Sequence, residues 1–83
     1  MKFTRKQGQY LAFIYNYTKI AGRPPAEADM QRHFRVTPPS VHQMVLNLEK
    51  AGLIERTAEG VRAKREIILA FLPWRKQAVP VNK

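Results

Sequence analysis

The sequence predicts a mainly helical domain closed by a small β hairpin. Three observations predict it. Apolar residues recur at helical spacing in three successive segments. Capping and stop signals bracket those segments. After Gly52 the period shortens to that of strands, with a glycine-containing turn between two runs.

The first segment opens at Thr4-Arg5-Lys6-Gln7, the pattern of a capping box. Apolar residues follow at Tyr10, Leu11, Phe13, Ile14 and Tyr17, and the spacing puts Tyr10, Ile14 and Tyr17 on one face. Gly22 is the expected stop, and Pro24-Pro25 block continuation, so a helix is expected over about residues 4–20. A short second helix is expected near 26–34. Pro25 precedes or begins it, and Met30 and Phe34 share a face. Val36 and Thr37 then form a tight turn. Thr37-Pro38 is a strong helix start, Val41, Val45 and Leu48 face the core, and Gly52 ends a third helix over about 38–51.

Leu53 to Thr57 reads as a short strand, Ala58-Glu59-Gly60 as a turn, and Val61 to Phe71 as a second strand. In that strand Ile67, Leu69 and Phe71 share one face, and Arg62, Lys64 and Glu66 the other. Ile68 breaks the alternation, and Pro73 ends the strand. Residues 1–72 are expected to form the domain and 73–83 a tail, with Trp74 able to fold back on the core. The order of elements is that of a winged helix-turn-helix.

The chain has 83 residues, room for one small domain and no large enzyme cleft. Its 15 Lys and Arg against 6 Asp and Glu give a formal net charge of +9, which points to a polyanionic partner. With no cysteine, disulfides, thiolate catalysis and cysteine zinc sites are excluded. No apolar run approaches the about 20 residues of a membrane-spanning helix. His33 and His42 have no cysteine near them to complete a metal site, and Ser40, the only serine, has no nucleophile-elbow glycines beside it. No catalytic residue, metal, cofactor or small-molecule ligand is expected, and a cytoplasmic, nucleoid-associated location is.

The third helix carries the sharpest functional reading. With its apolar residues inward, Ser40, His42, Gln43 and Asn47 point out, beside Pro39 at the helix start. A helix fits the major groove, where its first residues reach base edges; glutamine can pair with adenine, and serine or histidine with several bases. Arg62, Lys64 and Arg65 lie on or just after the expected wing, about residues 58–65, placed for phosphate or minor-groove contact. Arg35, just before the third helix, and Arg5 and Lys6, at the start of the first, are also expected to contact phosphates. Lys19 and Arg23 sit at the other end of the first helix, so not all these cations can face one ligand. Arg32 and His33 also oppose a helix C-terminal dipole. Tyr15 is expected to be exposed.

Thr4-Arg5-Lys6-Gln7, Gly22-Arg23-Pro24-Pro25, Thr37-Pro38-Pro39-Ser40-Val41 and Leu48-Glu49-Lys50-Ala51-Gly52-Leu53-Ile54-Glu55 together resemble the N-terminal DNA-binding domain of the LexA repressor family, over about residues 3–69. The resemblance implies a winged helix-turn-helix that binds duplex DNA and regulates transcription. It also implies base reading by Thr37, Pro39, Ser40, His42 and Gln43. The family tends to carry acids where His42 and Gln43 stand, so the usual operator is not expected. Ala26 replaces a threonine cap of the second helix, and the turn before the third helix is one residue shorter. The family's self-cleaving, dimerising C-terminal domain has no counterpart in these residues, so autoproteolysis is not expected.

Two functional classes therefore fit. One is a sequence-specific binder of double-stranded DNA, reading a half-site per domain and pairing as a homodimer on DNA. The other is a winged-helix adaptor for proteins. A basic stripe across the third helix and wing favours the first; an apolar patch near Tyr15, Ile68 and Trp74 favours the second. RNA remains compatible with a basic wing.

Overall fold

The computed structural model describes residues 3–67. Three helices, α1 (Arg5–Ala21), α2 (Glu27–Phe34) and α3 (Pro38–Lys50), precede two antiparallel strands, β1 (Ile54–Arg56) and β2 (Val61–Ala63). Residues 65–67 are again helical. This is a winged helix-turn-helix, with α2 and α3 as the paired helices and β1–β2 as the wing.

The caps form as the sequence predicts. Thr4 Oγ1 accepts from Gln7 N–H (3.1 Å), and Gln7 Oε1 accepts from Thr4 N–H (2.9 Å). At the end of α3, Leu53 N–H donates to Leu48 O and Gly52 N–H to Glu49 O, both at 3.0 Å, closing a Schellman motif. Gly52 takes the left-handed φ of 79° that this motif requires. Leu48 and Leu53, which it brings together, are both buried.

Leu11, Ile14, Met30, Val41, Val45, Leu48, Ile54 and Ile67 are all but inaccessible and form the centre of one core. The buried side of α1 is wider than its Tyr10–Ile14–Tyr17 stripe. Tyr17 is only half-buried, whereas Leu11 and Tyr15 are buried. The helix is covered from two sides. Tyr10 stacks on Phe34 of α2 (ring centroids 4.1 Å apart), and β2 lies against α1 on the other flank. Tyr15, expected outside, is therefore 8% exposed.

The second strand is shorter than predicted. β1 offers only three residues to pair with, in the register Ile54↔Ala63, Glu55↔Arg62 and Arg56↔Val61. One further bond, from Lys64 N–H to Leu53 O (3.1 Å), ends the ladder. A longer β2 would leave its backbone donors unpaired, and the chain turns instead: Ile67 N–H donates to Lys64 O (2.9 Å). Ala63 and Ile67, both buried, are thus four apart across a turn rather than alternating along a strand. Ile68, Leu69, Phe71, Pro73, Trp74 and the expected boundary at residue 72 lie outside the described residues.

The Pro24-Pro25 link does more than stop α1. Both prolines are buried, and Pro25 O accepts from Val61 N–H at 2.8 Å. Gly60 lies so close that a Cβ there would stand 2.5 Å from Pro25 O and 2.9 Å from Pro24 O. Thr57 closes the tip, its Oγ1 accepting from Glu59 and Gly60 N–H (3.2 and 3.1 Å). Gly60 is required by this approach of two backbones.

Asp29 ties the same link to α2. Ala26 has no side chain to cap with, but the Asp29 carboxylate accepts from Ala26 N–H at 2.8 Å. It also meets Arg32 in a hydrogen-bonded ion pair, Arg23 at 3.6 Å and the Tyr17 hydroxyl. The Ala26 N–H holds the carboxyl below the usual carboxylate range, against burial, with Arg23, Arg32 and Tyr17 helping.

Two expectations follow. Gly60→Ala should cost about 1–3 kcal/mol, since neither carbonyl can retreat without moving the link. Faster hydrogen exchange at Val61 N–H would accompany the lower melting temperature; native exchange there would show that wing and link are not in contact. Asp29 has a lowered folded-state pKa, so its stabilisation is complete above the ordinary carboxylate range and is lost as pH falls through the lowered value. The denaturation midpoint of the native chain should therefore drop below about pH 4, while Asp29→Asn should be less stable at neutral pH and flatter in acid.

Candidate nucleic-acid interface

The outward surface of α3 begins at its cap. Thr37 Oγ1 accepts from Ser40 N–H (3.4 Å) and lies 2.9 Å from Ser40 Oγ, so the two hydroxyls form one polar unit. Pro38 and Pro39 occupy the first two helical positions, where proline sacrifices no helical bond. Val41, Val45 and Leu48 are buried, which leaves Thr37, Pro39, Ser40, His42, Gln43 and Asn47 all exposed. Gln43 Nε2–H donates to Asn47 Oδ1 at 3.0 Å, one turn on. His42 Nδ1–H donates to the Glu27 carboxylate at 3.2–3.3 Å.

Three residues of this surface were not singled out by sequence. Leu46, 39% exposed, lies on the outward face between Gln43 and Lys50. Glu27 and Arg56 join His42 in a network across α2, α3 and β1. Arg56 Nη1 lies 3.9 Å from Glu27 Oε2, and its Nε–H donates to Glu49 Oε1 at 3.2 Å. Glu27 is 15 residues from His42, and no local pattern marks that pairing.

The expected phosphate ligands are spread over several elements. Arg5 and Lys6 are exposed in the first turn of α1. Arg62 faces away from the core on β2, opposite Glu55 in register and 3.9 Å from its carboxylate. It borders a small groove with Tyr15, Thr18 and Lys19 of α1. Lys64 and Arg65 lie beyond the last residue of β2, so the wing ends at Ala63, short of the expected residue 65. Arg56, not Arg62, is the wing cation turned toward α2 and α3.

Arg35 closes the turn between α2 and α3 at φ 56°, the only positive-φ residue other than glycine among the described residues. Its N–H donates to Gln31 O at 2.8 Å as the C-cap of α2. No glycine stands at this position, and arginine takes it at a steric cost of about 1–2 kcal/mol.

Glu27, Asp29, Glu49 and Glu55 each stand within 4.0 Å of a basic side chain. Arg5, Lys6, Arg35, Lys50, Lys64 and Arg65 have no ion pair among the described residues. Arg35 and Lys50 bracket α3, one just before its cap and one at its last position.

A second surface lies between α1 and α2. Phe13, Tyr17, His33 and Phe34 line an open apolar groove of about 720 Å³, with Ile20 87% exposed at its edge. His33 stacks on Phe13 there, with ring centroids 4.3 Å apart. Among the described residues the large exposed apolar side chains are Phe3, Ile20 and Leu46, of which Ile20 borders this groove; Tyr15 is buried, and Ile68 and Trp74 lie outside the described residues. No helix among the described residues is long and apolar enough to cross a membrane.

A helix-turn-helix with a polar, hydroxyl- and amide-bearing outer helix, bracketed by unpaired cations and followed by a wing, defines the class of winged-helix DNA-binding domains. The family model described as the LexA DNA binding domain matches residues 1–63. The chain belongs to that family. The LexA repressor of Thermosipho melanesiensis is 40% identical over 62 residues, covering 75% of this chain and 31% of its own length. That of Thermotoga neapolitana is 39% identical over 62 residues, covering 75% of this chain and 32% of its own. The chain thus spans about a third of the length of the curated relatives it matches.

Arg35→Gly separates strain from charge. It should stabilise the fold by about 0.5–1 kcal/mol, raising the melting temperature by a few degrees. It should also weaken binding to all duplexes and reduce the salt slope by about 1. An unchanged melting temperature would show that Arg35 bears no strain.

Proposed function

We propose that this chain binds double-stranded DNA sequence-specifically as a transcriptional regulator. In this reading α3 lies in the major groove and the wing lies on the backbone. The observation that carries it is the make-up of α3 within this family's fold. Its outer face opens with Thr37, Pro39, Ser40, His42, Gln43 and Asn47, and none of them is a carboxylate, a lysine or an arginine. Such a face has little to offer a polyanion as charge and much to offer base edges as hydrogen bonds. Arg35, Arg5, Lys6, Arg62, Lys64 and Arg65 supply phosphate contacts, and Lys50 joins them from the far end of α3. Most of the affinity comes from these charges and the specificity from α3.

One domain reads one half-site, so tight binding calls for two copies on adjacent half-sites. The named function of the relatives is repression. A regulator without enzymatic activity is the corresponding role for this domain. The apolar groove at Phe13 and Ile20 supports a second reading, an adaptor that docks a protein segment there.

The deciding experiment is selection from a pool of random duplexes at two salt concentrations, followed by sequencing of the retained DNA. An enriched motif is expected, with a log–log salt slope of about −4 to −5 for about 4–6 neutralised phosphates. Gln43→Ala should flatten preference at one base pair, and Arg62→Ala should weaken all duplexes alike. Retention without enrichment would contradict base reading. No retention at low salt would move the assignment to the adaptor.

A further inference from the structure

We infer that Glu27 sets the base preference of His42. By accepting from Nδ1–H, its carboxylate holds the imidazole in the tautomer whose Nε2 is a hydrogen-bond acceptor. His42 then reads an exocyclic amino group in the major groove, N4 of cytosine or N6 of adenine. The inference rests on the proposed docking of α3.

The argument starts from proton count. A neutral imidazole has one N–H and one lone pair, and the partner of one nitrogen decides the role of the other. A carboxylate has no proton to give, so Nδ1, at 3.3 Å from Glu27 Oε1 and 3.2 Å from Oε2, must be the donor. Nε2 is across the ring from this contact, on a side chain that is 53% exposed. An acceptor there matches the two major-groove amino donors and is repelled by N7 and O6 of guanine.

Glu27 is not free to swing away. It stands in the first turn of α2, 28% exposed in its side chain, with Arg56 Nη1 of β1 at 3.9 Å. Arg56 is itself held by Glu49 of α3. Glu27 of α2 is the charged group in contact with His42, and Arg56 of β1 and Glu49 of α3 stand behind it in the same network. Glu27 touches no base in this scheme; it acts through His42.

The test has two independent arms, run at about pH 8, where an imidazole is ordinarily neutral. Long-range proton–nitrogen NMR of the free chain should show His42 protonated on Nδ1. Glu27→Ala should move the proton toward Nε2, and Glu27→Gln, whose Oε1 can still accept from Nδ1–H, should keep the native tautomer as the conservative rescue. The random-duplex selection should then show one base pair at which the native chain prefers cytosine or adenine. Glu27→Ala should lose that preference about five- to tenfold and shift toward guanine, with the other positions unchanged, and Glu27→Gln should retain it. Combining Glu27→Ala with His42→Ala should match His42→Ala alone. An Nε2–H tautomer in the native chain, or a tautomer indifferent to Glu27, overturns the inference whatever the DNA shows. A changed tautomer with an unchanged motif overturns it as well, by removing His42 from the base readers. A native chain that enriches no motif overturns the docking itself, which the NMR arm distinguishes.

Discussion

The contact between the wing tip and the Pro24-Pro25 link is the constraint on which the arrangement turns. A two-stranded hairpin of three residues a side has little stability of its own. It is held because Val61 spends its N–H on Pro25 O and because Gly60 lets the backbones meet. The same link fixes where α2 begins, since Ala26 follows at once and Asp29 reaches back to it. Wing and helix-turn-helix are therefore positioned from one short buried segment. The core then locks the arrangement from the other side, with Ile54, Val61 and Ala63 against the apolar faces of α1 and α3.

Electrostatics are organised by the same economy. The domain has few acids, and those packed among the elements sit beside cations. Asp29 gathers Arg23 and Arg32, and Glu27 and Glu49 share Arg56. Such half-exposed pairs contribute little to stability one by one. Their larger effect is to sort the positive charge. Arg23 and Arg32 are engaged with the fold, while Arg35 and Lys50 remain available at the two ends of α3. The excess of basic residues in the sequence is thus not one uniform surface. It is a set of internal clamps and a smaller set of outward cations.

What could be read from the sequence was what local chemistry controls. Thr4, Thr37 and Gly52 mark helix ends by the bonds they make within a few residues, and Val41, Val45 and Leu48 mark the buried face of α3 by spacing alone. The misreadings share a cause. Tyr15 lies off the Tyr10–Ile14–Tyr17 stripe and so reads as exposed, whereas α2 and the hairpin cover two flanks of α1. Val61 to Phe71 alternated like a strand, but its length was limited by a partner only three residues long. Within the candidate site, the residues of α3 were legible from its caps and periodicity. Glu27 and Arg56 were not, because their relation to His42 exists only once α2, α3 and β1 are folded together.

The two prolines that open α3 have a consequence for how this helix meets an anion. Helix N-termini commonly hold phosphate through free backbone amides and a favourable dipole. Here Pro38 and Pro39 have no amide hydrogen, Ser40 N–H is taken by Thr37 Oγ1, and Val41 N–H by Thr37 O. The dipole remains, but the donors that would convert it into a ligand cradle are missing or engaged. Any phosphate beside this end must be gripped by side chains, and Arg35 is the cation nearest in sequence. On the docking proposed above, the helix meets its groove with a closed tip, its side chains turned to the bases and its own backbone silent.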